Sequence, residues 1–136
     1  MQEEEILIEV YDPEERVTTN FCVIRLAENR FKMTENDIFN RNLTRGTEFE
    51  TFINTEGQRE ISKTLTKSPF ITRRFLLSIQ FTESEYRLLG DEIIKYGGFW
   101  QVDFGGFATV NLPKERGLDL DEIFKTFDFN PIEIKD

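Results

Sequence analysis

The 136-residue chain contains no histidine. Ser-His-Asp and Cys-His catalysis, histidine-ligated zinc and histidine general-base chemistry all need a side chain it does not have. Cysteine is almost absent as well: Cys22 stands alone, so no internal disulfide forms. It sits in Phe21-Cys22-Val23-Ile24, an apolar strand pattern in which a lone cysteine is expected to be a small core residue. No apolar run reaches the length of a membrane helix. The opening Gln2-Glu3-Glu4-Glu5 has none of the basic and apolar blocks of a signal peptide. These absences lead to the expectation of a reducing, cytoplasmic setting away from membranes. Proline is sparse, and Pro13, Pro69, Pro113 and Pro131 fall between periodic segments as punctuation.

What is present is acid and phenylalanine. The formal net charge is −9, distributed as −6 over residues 1–40, +3 over 41–74 and −6 over 75–136. An acidic total makes nucleic acid an unlikely partner and favours cationic ones. Fourteen phenylalanines give a large burial payload per apolar position, so the chain is expected to fold around a core. Its length is that of one domain.

Alternation predicts strands over the first half: Glu5–Tyr11, Asn20–Ala27, Arg30–Met33 and Thr47–Asn54. The segment Arg59–Thr66 fits a strand or a helix, and is assigned as a strand on its β-branched content. A loop with a short helical turn near Ile38 and Phe39 is expected between them. In the second half, Arg74–Phe81 reads as a buried strand. Thr82-Glu83-Ser84-Glu85 then forms a capping box ahead of Tyr86, Leu89, Ile93 and Tyr96, and Gly97 closes that helix. Gly105-Gly106 predicts a hairpin between Phe99–Phe104 and Phe107–Leu112. A second cap at Asp119–Glu122 opens a short helix bearing Leu120, Ile123, Phe124 and Phe127, and Ile132-Glu133-Ile134 closes the pattern. The expected fold is α+β. An N-terminal small β-barrel or curled sheet (1–73) packs on a C-terminal ferredoxin-like βαββαβ half (74–136), within a single domain.

Over residues 20–134 the chain resembles a bacterial family of unknown function that joins a small β-barrel to such an αβ half. The resemblance rests on Asn36-Asp37-Ile38-Phe39 and Leu43-Thr44-Arg45-Gly46, with the later helix and hairpin. Thr47 stands where that family carries Asp, and Ile38 where it carries Pro. The resemblance implies a fold and supplies no active-site residues.

Asp103-Phe104-Gly105 matches the kinase metal-binding tripeptide, but the rest of a kinase is missing, so it reads as a turn. Asp119, Asp121 and Glu122 lack the ordered ligands of a calcium loop and suit a helix N-terminus. No catalytic constellation emerges, which argues against an enzyme, and no cofactor or metal is expected. Arg41, Arg45, Arg59, Lys63, Lys67, Arg73 and Arg74, with Phe70 nearby, are candidates for gripping an anion, set against simple balancing of the acidic flanks. Two-residue pairing across Gly105-Gly106 would put Trp100, Val102, Phe104, Phe107 and Thr109 on one face, opposite Ala108, Val110 and Leu112. Trp100, Phe104 and Phe107 are then candidate partner-binding residues, unless the first half covers them. The expectation is a non-enzymatic domain that binds another protein, of inhibitor or immunity type, with its oligomeric state open. The alternative is a small-ligand domain with a site between its halves, where Glu48, Glu50, Asp103 and Tyr96 would be inspected.

Overall fold

The computed structural model describes residues 4–37, 40, 42–77, 83–104, 106–114, 119–126 and 131–134. It is a mixed α+β chain of antiparallel sheets and two helices, and it divides into two compact units, Met1–Pro69 and Phe70–Asp136. Each has its own apolar cluster.

The first unit is a five-stranded meander of β1 (Glu5–Asp12), β2 (Val17–Ala27), β3 (Arg30–Met33), β4 (Glu48–Ile53) and β5 (Arg59–Thr66), paired in chain order. Alternation puts Ile8, Val10, Phe21, Val23, Phe31, Met33 and Phe49 on the inner face, where they bury one another with Leu43. Phe31 and Phe49 are ladder partners with ring centroids 5.9 Å apart, and each contributes roughly 1.5–3 kcal/mol through burial. The Arg59–Thr66 segment is a strand, as its β-branched residues require.

In this unit one expectation is narrowed and another fails. The sheet is curled and is not a closed barrel: β1 and β5 approach one another without forming a ladder. Charged Arg59, Glu60 and Lys63 along β5 are of the kind that keep an edge strand from pairing. Cys22 is not a core residue either. The strand period of two turns Phe21 and Val23 inward and Cys22 outward, beside its ladder partner Leu7, where it is half-buried with Sγ 4.0 Å from Glu5 Oε2.

The segments behind the family resemblance meet in space. Asn36 Oδ1 accepts the Arg45 backbone N–H at 3.0 Å, and Leu43, whose carbonyl accepts from Asp37, is buried in the core. Gly46 has φ +91°, and a Cβ there would lie 2.7 Å from Pro69 Cδ, so both the backbone and the close approach require glycine. The expected turn at Ile38 and Phe39 lies outside the described residues.

The second unit pairs β7 (Phe99–Asp103), β8 (Phe107–Pro113), β6 (Phe70–Leu76) and β9 (Ile132–Ile134) in that order, with α1 (Glu83–Lys95) and α2 (Leu120–Thr126) between strands. β6 begins four residues before the expected Arg74, directly after Pro69. Leu89 and Ile93 of α1 and Leu120 and Phe124 of α2 pack on Phe75, Ala108, Val110 and Leu112. Phe124 meets the Phe75 ring edge-on at 5.0 Å. The end of α1 is a Schellman motif: Gly98 N–H donates to Ile93 O and Gly97 N–H to Ile94 O, with Gly97 at φ +87°. α2 starts at Asp119, whose Oδ1 accepts the Glu122 backbone N–H at 3.2 Å. The capping box expected at Thr82–Glu85 and the core position expected of Phe127 fall outside the described residues and side chains. No described helix is long and apolar enough to cross a membrane.

Candidate interaction surface

The hairpin between β7 and β8 decides which residues share a face. Asp103 pairs with Phe107, so the loop is three residues long, with Phe104 at φ +53° and Gly106 N–H donating to Asp103 O at 3.2 Å. The expected two-residue turn at Gly105-Gly106 would have paired Phe104 with Phe107. One residue of difference moves every β7 side chain to the other face. Trp100 therefore lies opposite Val110 and Val102 opposite Ala108, on the face that the helices cover. Trp100 is half-buried against the helix cluster. A Cβ on Gly90 of α1 would stand only 2.7 Å from its Cδ1.

The three aromatic candidates are thus separated. Trp100 is packed under α1, Phe107 is half-buried on the reverse face, and Phe104 projects from the loop, 83% exposed. Only Gly, Asn and Asp visit this left-handed backbone region readily, so a phenylalanine held there costs about 1–2 kcal/mol.

The reverse face can be read row by row from the ladders. Asp103, Phe107, Leu76 and Ile132 form one row across all four strands at the hairpin end. Strands lie about 4.8 Å apart, so Phe107, Leu76 and Ile132 span about 10 Å beside the loop that carries Phe104. Leu76 is 47% exposed and Ile132 69%. Sequence reasoning missed both, because membership of a row depends on long-range register. The next row is polar: Gln101, Thr109 and Arg74, ending in Ile134. Gln101 Nε2 donates to Asp103 Oδ2 at 2.9 Å, which fixes the one carboxylate in the apolar row.

The basic candidates do not form one patch. Arg73 projects to the helix face, where Glu133 takes it in a two-pronged pair at 2.8 and 2.9 Å and Asp121 adds a contact at 3.2 Å. The Glu133 bonds, against some loss of solvation, hold its guanidinium above the ordinary arginine range. Arg74 points to the reverse face. Arg45 donates to the Thr34 carbonyl, and burial pushes its guanidinium below the ordinary range despite the attraction of Glu5. Lys63 is exposed opposite Glu50, and Lys67 is exposed beyond β5. Arg59 donates to Thr51 Oγ1 at 2.6 Å. Arg41 lies outside the described residues.

The carboxylates fall in different units. Glu48 stands opposite Lys32, and Glu50 receives a bond from Arg30 at 3.3 Å, all within the first unit. Asp103 and Tyr96 belong to the second unit, where Tyr96 caps the end of α1 and is exposed. Among the described residues no group of three acidic or cysteine side chains is arranged to hold a metal ion.

No protein-family model and no curated protein matches the chain. It is similar to a solved structure described as a hypothetical protein from Neisseria gonorrhoeae, at 15% identity and a TM-score of 0.58, over 94% of this chain and 88% of that one. At that identity the likeness concerns the mixed α+β fold.

Proposed function

We propose that the chain is a non-catalytic interaction domain that docks a basic protein at the hairpin end of its second sheet. The observation that carries this reading is Phe104, a large apolar side chain 83% exposed on a left-handed backbone. A fold tolerates such a conformation where the surrounding structure enforces it, and such sites cluster at binding surfaces. Aromatic anchors beside apolar neighbours dominate protein interfaces. The row of Phe107, Leu76 and Ile132 supplies those neighbours. Asp103 gives the patch an acidic end, and the net charge of −9 speeds encounter with a cationic partner. An inhibitor or immunity-type role fits this chemistry. We read the strand order β7-β8-β6-β9, with its two helices, as a ferredoxin-like sheet whose exposed hairpin end is used for docking, since farther along the same face Thr109 and Asn111 are buried.

The test uses two substitutions of exposed side chains, Phe104→Gly and Ile132→Ser, in the full chain. Both are expected to fold as the parent does. The protein recovered with the tagged parent from cells should fall at least tenfold with either variant. Undiminished recovery with both variants would remove the hairpin end from consideration.

A further inference from the structure

The inner face of the first unit ends, at the turns Glu28-Asn29 and Asn54–Gln58, in a pair of arginines that the sequence gives no reason to associate. Arg25 of β2 is the ladder partner of Phe31, and Arg59 begins β5. Their guanidinium carbons lie 5.1 and 5.0 Å from the centroid of the same ring, that of the fully buried Phe31. Neither guanidinium meets a carboxylate among the described residues. Arg25 Nη1 donates to Glu28 O at 2.9 Å, and Arg59 Nη1 donates to Asn29 Oδ1 at 3.2 Å and to Thr51 Oγ1 at 2.6 Å. The Nε and Nη2 donors of both arginines bind no described protein group.

We infer that this end of the sheet is an oxyanion site for a phosphate-class dianion, held between Arg25 and Arg59. Two like charges gathered at one ring repel, and among the described residues the hydrogen bonds each arginine makes go to neutral oxygens only. A bound dianion compensates both charges at once, and planar guanidiniums with free edges match phosphate oxygens in the two-pronged geometry. The donors are held in place beforehand. Thr51 is buried and its hydroxyl donates to Asn29 O at 3.3 Å, so Arg59 bonds to a fixed acceptor. Register shifts interrupt the β2–β3 pairing between Arg25 and Ala27, and the β4–β5 pairing at Glu50 and Thr51, where Ser62 of β5 is the extra residue. Such bulges re-aim side chains and are common beside binding sites. The competing role is purely structural, with the arginine stems covering the open end of the core.

Inorganic phosphate separates the two roles. In the full chain, titration with phosphate against chloride and acetate at matched ionic strength should shift the amide resonances of Asn29, Thr51 and Arg59 saturably. Acetate should act at least tenfold more weakly, and chloride only through screening. Arg25→Gln and Arg59→Gln should each weaken phosphate binding at least tenfold. A phosphate response no different from chloride overturns the site, as does a response unchanged in both variants. Tighter binding of acetate overturns the assignment to a dianion. Should a variant fail to fold, the comparison of anions on the parent protein decides alone.

Discussion

At position 90 two local effects oppose each other. Alanine is the better helix former by about 1 kcal/mol, yet its Cβ would stand 2.7 Å from Trp100 Cδ1 and 3.1 Å from Cγ, atoms near the rigid root of the indole. Overpacking of this kind costs about 1–3 kcal/mol. Gly90→Ala is therefore expected to destabilise the protein by about 1 kcal/mol in urea denaturation. In a Trp100→Ala background the same change should become neutral or stabilising, because only the propensity effect remains. Additive behaviour of the two substitutions would mean that the indole does not rest on α1. Cys22 gives a second residue-scale expectation. Its outward, half-buried position predicts complete labelling by a thiol reagent in the native state, and Cys22→Ser should change stability by no more than about 0.5 kcal/mol. Protection of the thiol until denaturant is added would place it back in the core.

At the scale of elements, the hairpin and α2 can each be tested by one side chain. Phe104→Gly removes the strain of φ +53° and adds flexibility to the unfolded chain. Its stability should match the parent or exceed it by up to about 1 kcal/mol, while its binding should fall. Loss of both stability and binding would mean that Phe104 packs in solution. Asp119 caps a helix of only seven residues. Asp119→Ala should cost about 0.5–2 kcal/mol, detectable as a lower urea midpoint with unchanged slope. α2 has a second fastening in Arg73, which bridges Asp121 on the helix and Glu133 on β9. The acidic run that superficially suggests a calcium site is accounted for by these two roles. Asp119 supplies a cap and Asp121 supplies a partner for Arg73.

At the scale of the molecule, the apolar contacts fall into two clusters that share no residue. One is drawn from Ile8 to Leu43 and Phe49, the other from Phe75 to Phe124. The first unit has a complete five-stranded ladder of its own. A fragment of residues 1–69 is thus expected to fold cooperatively, with the small stability, roughly 3–5 kcal/mol at most, that a core of this size supports. Circular dichroism with urea denaturation checks this. A fragment without a cooperative transition would show that the first cluster is insufficient on its own.

The position and type of nearly every described element were legible in the chain, because they depend on local periods. Alternating Ile6, Ile8 and Val10 specify a strand, Leu89 and Ile93 a helix face, and Gly97 its end. Arg59–Thr66 was correctly a strand because Ile61, Thr64 and Thr66 are β-branched. Charge balance and the absence of histidine likewise needed no structure. Tertiary structure alone decided which side chains meet. The hairpin turns on a left-handed phenylalanine, a conformation that residue rarely adopts, so the pattern favoured the adjacent glycines and moved Trp100 to the wrong face. The row of Phe107, Leu76 and Ile132 joins strands separated by up to 56 residues of sequence, and its register is set by packing of the opposite face against α1 and α2. Arg25 and Arg59 meet over Phe31 for the same reason: ladder pairing and curvature bring them together. Local chemistry chose the elements, and the burial of one sheet face chose what the other presents.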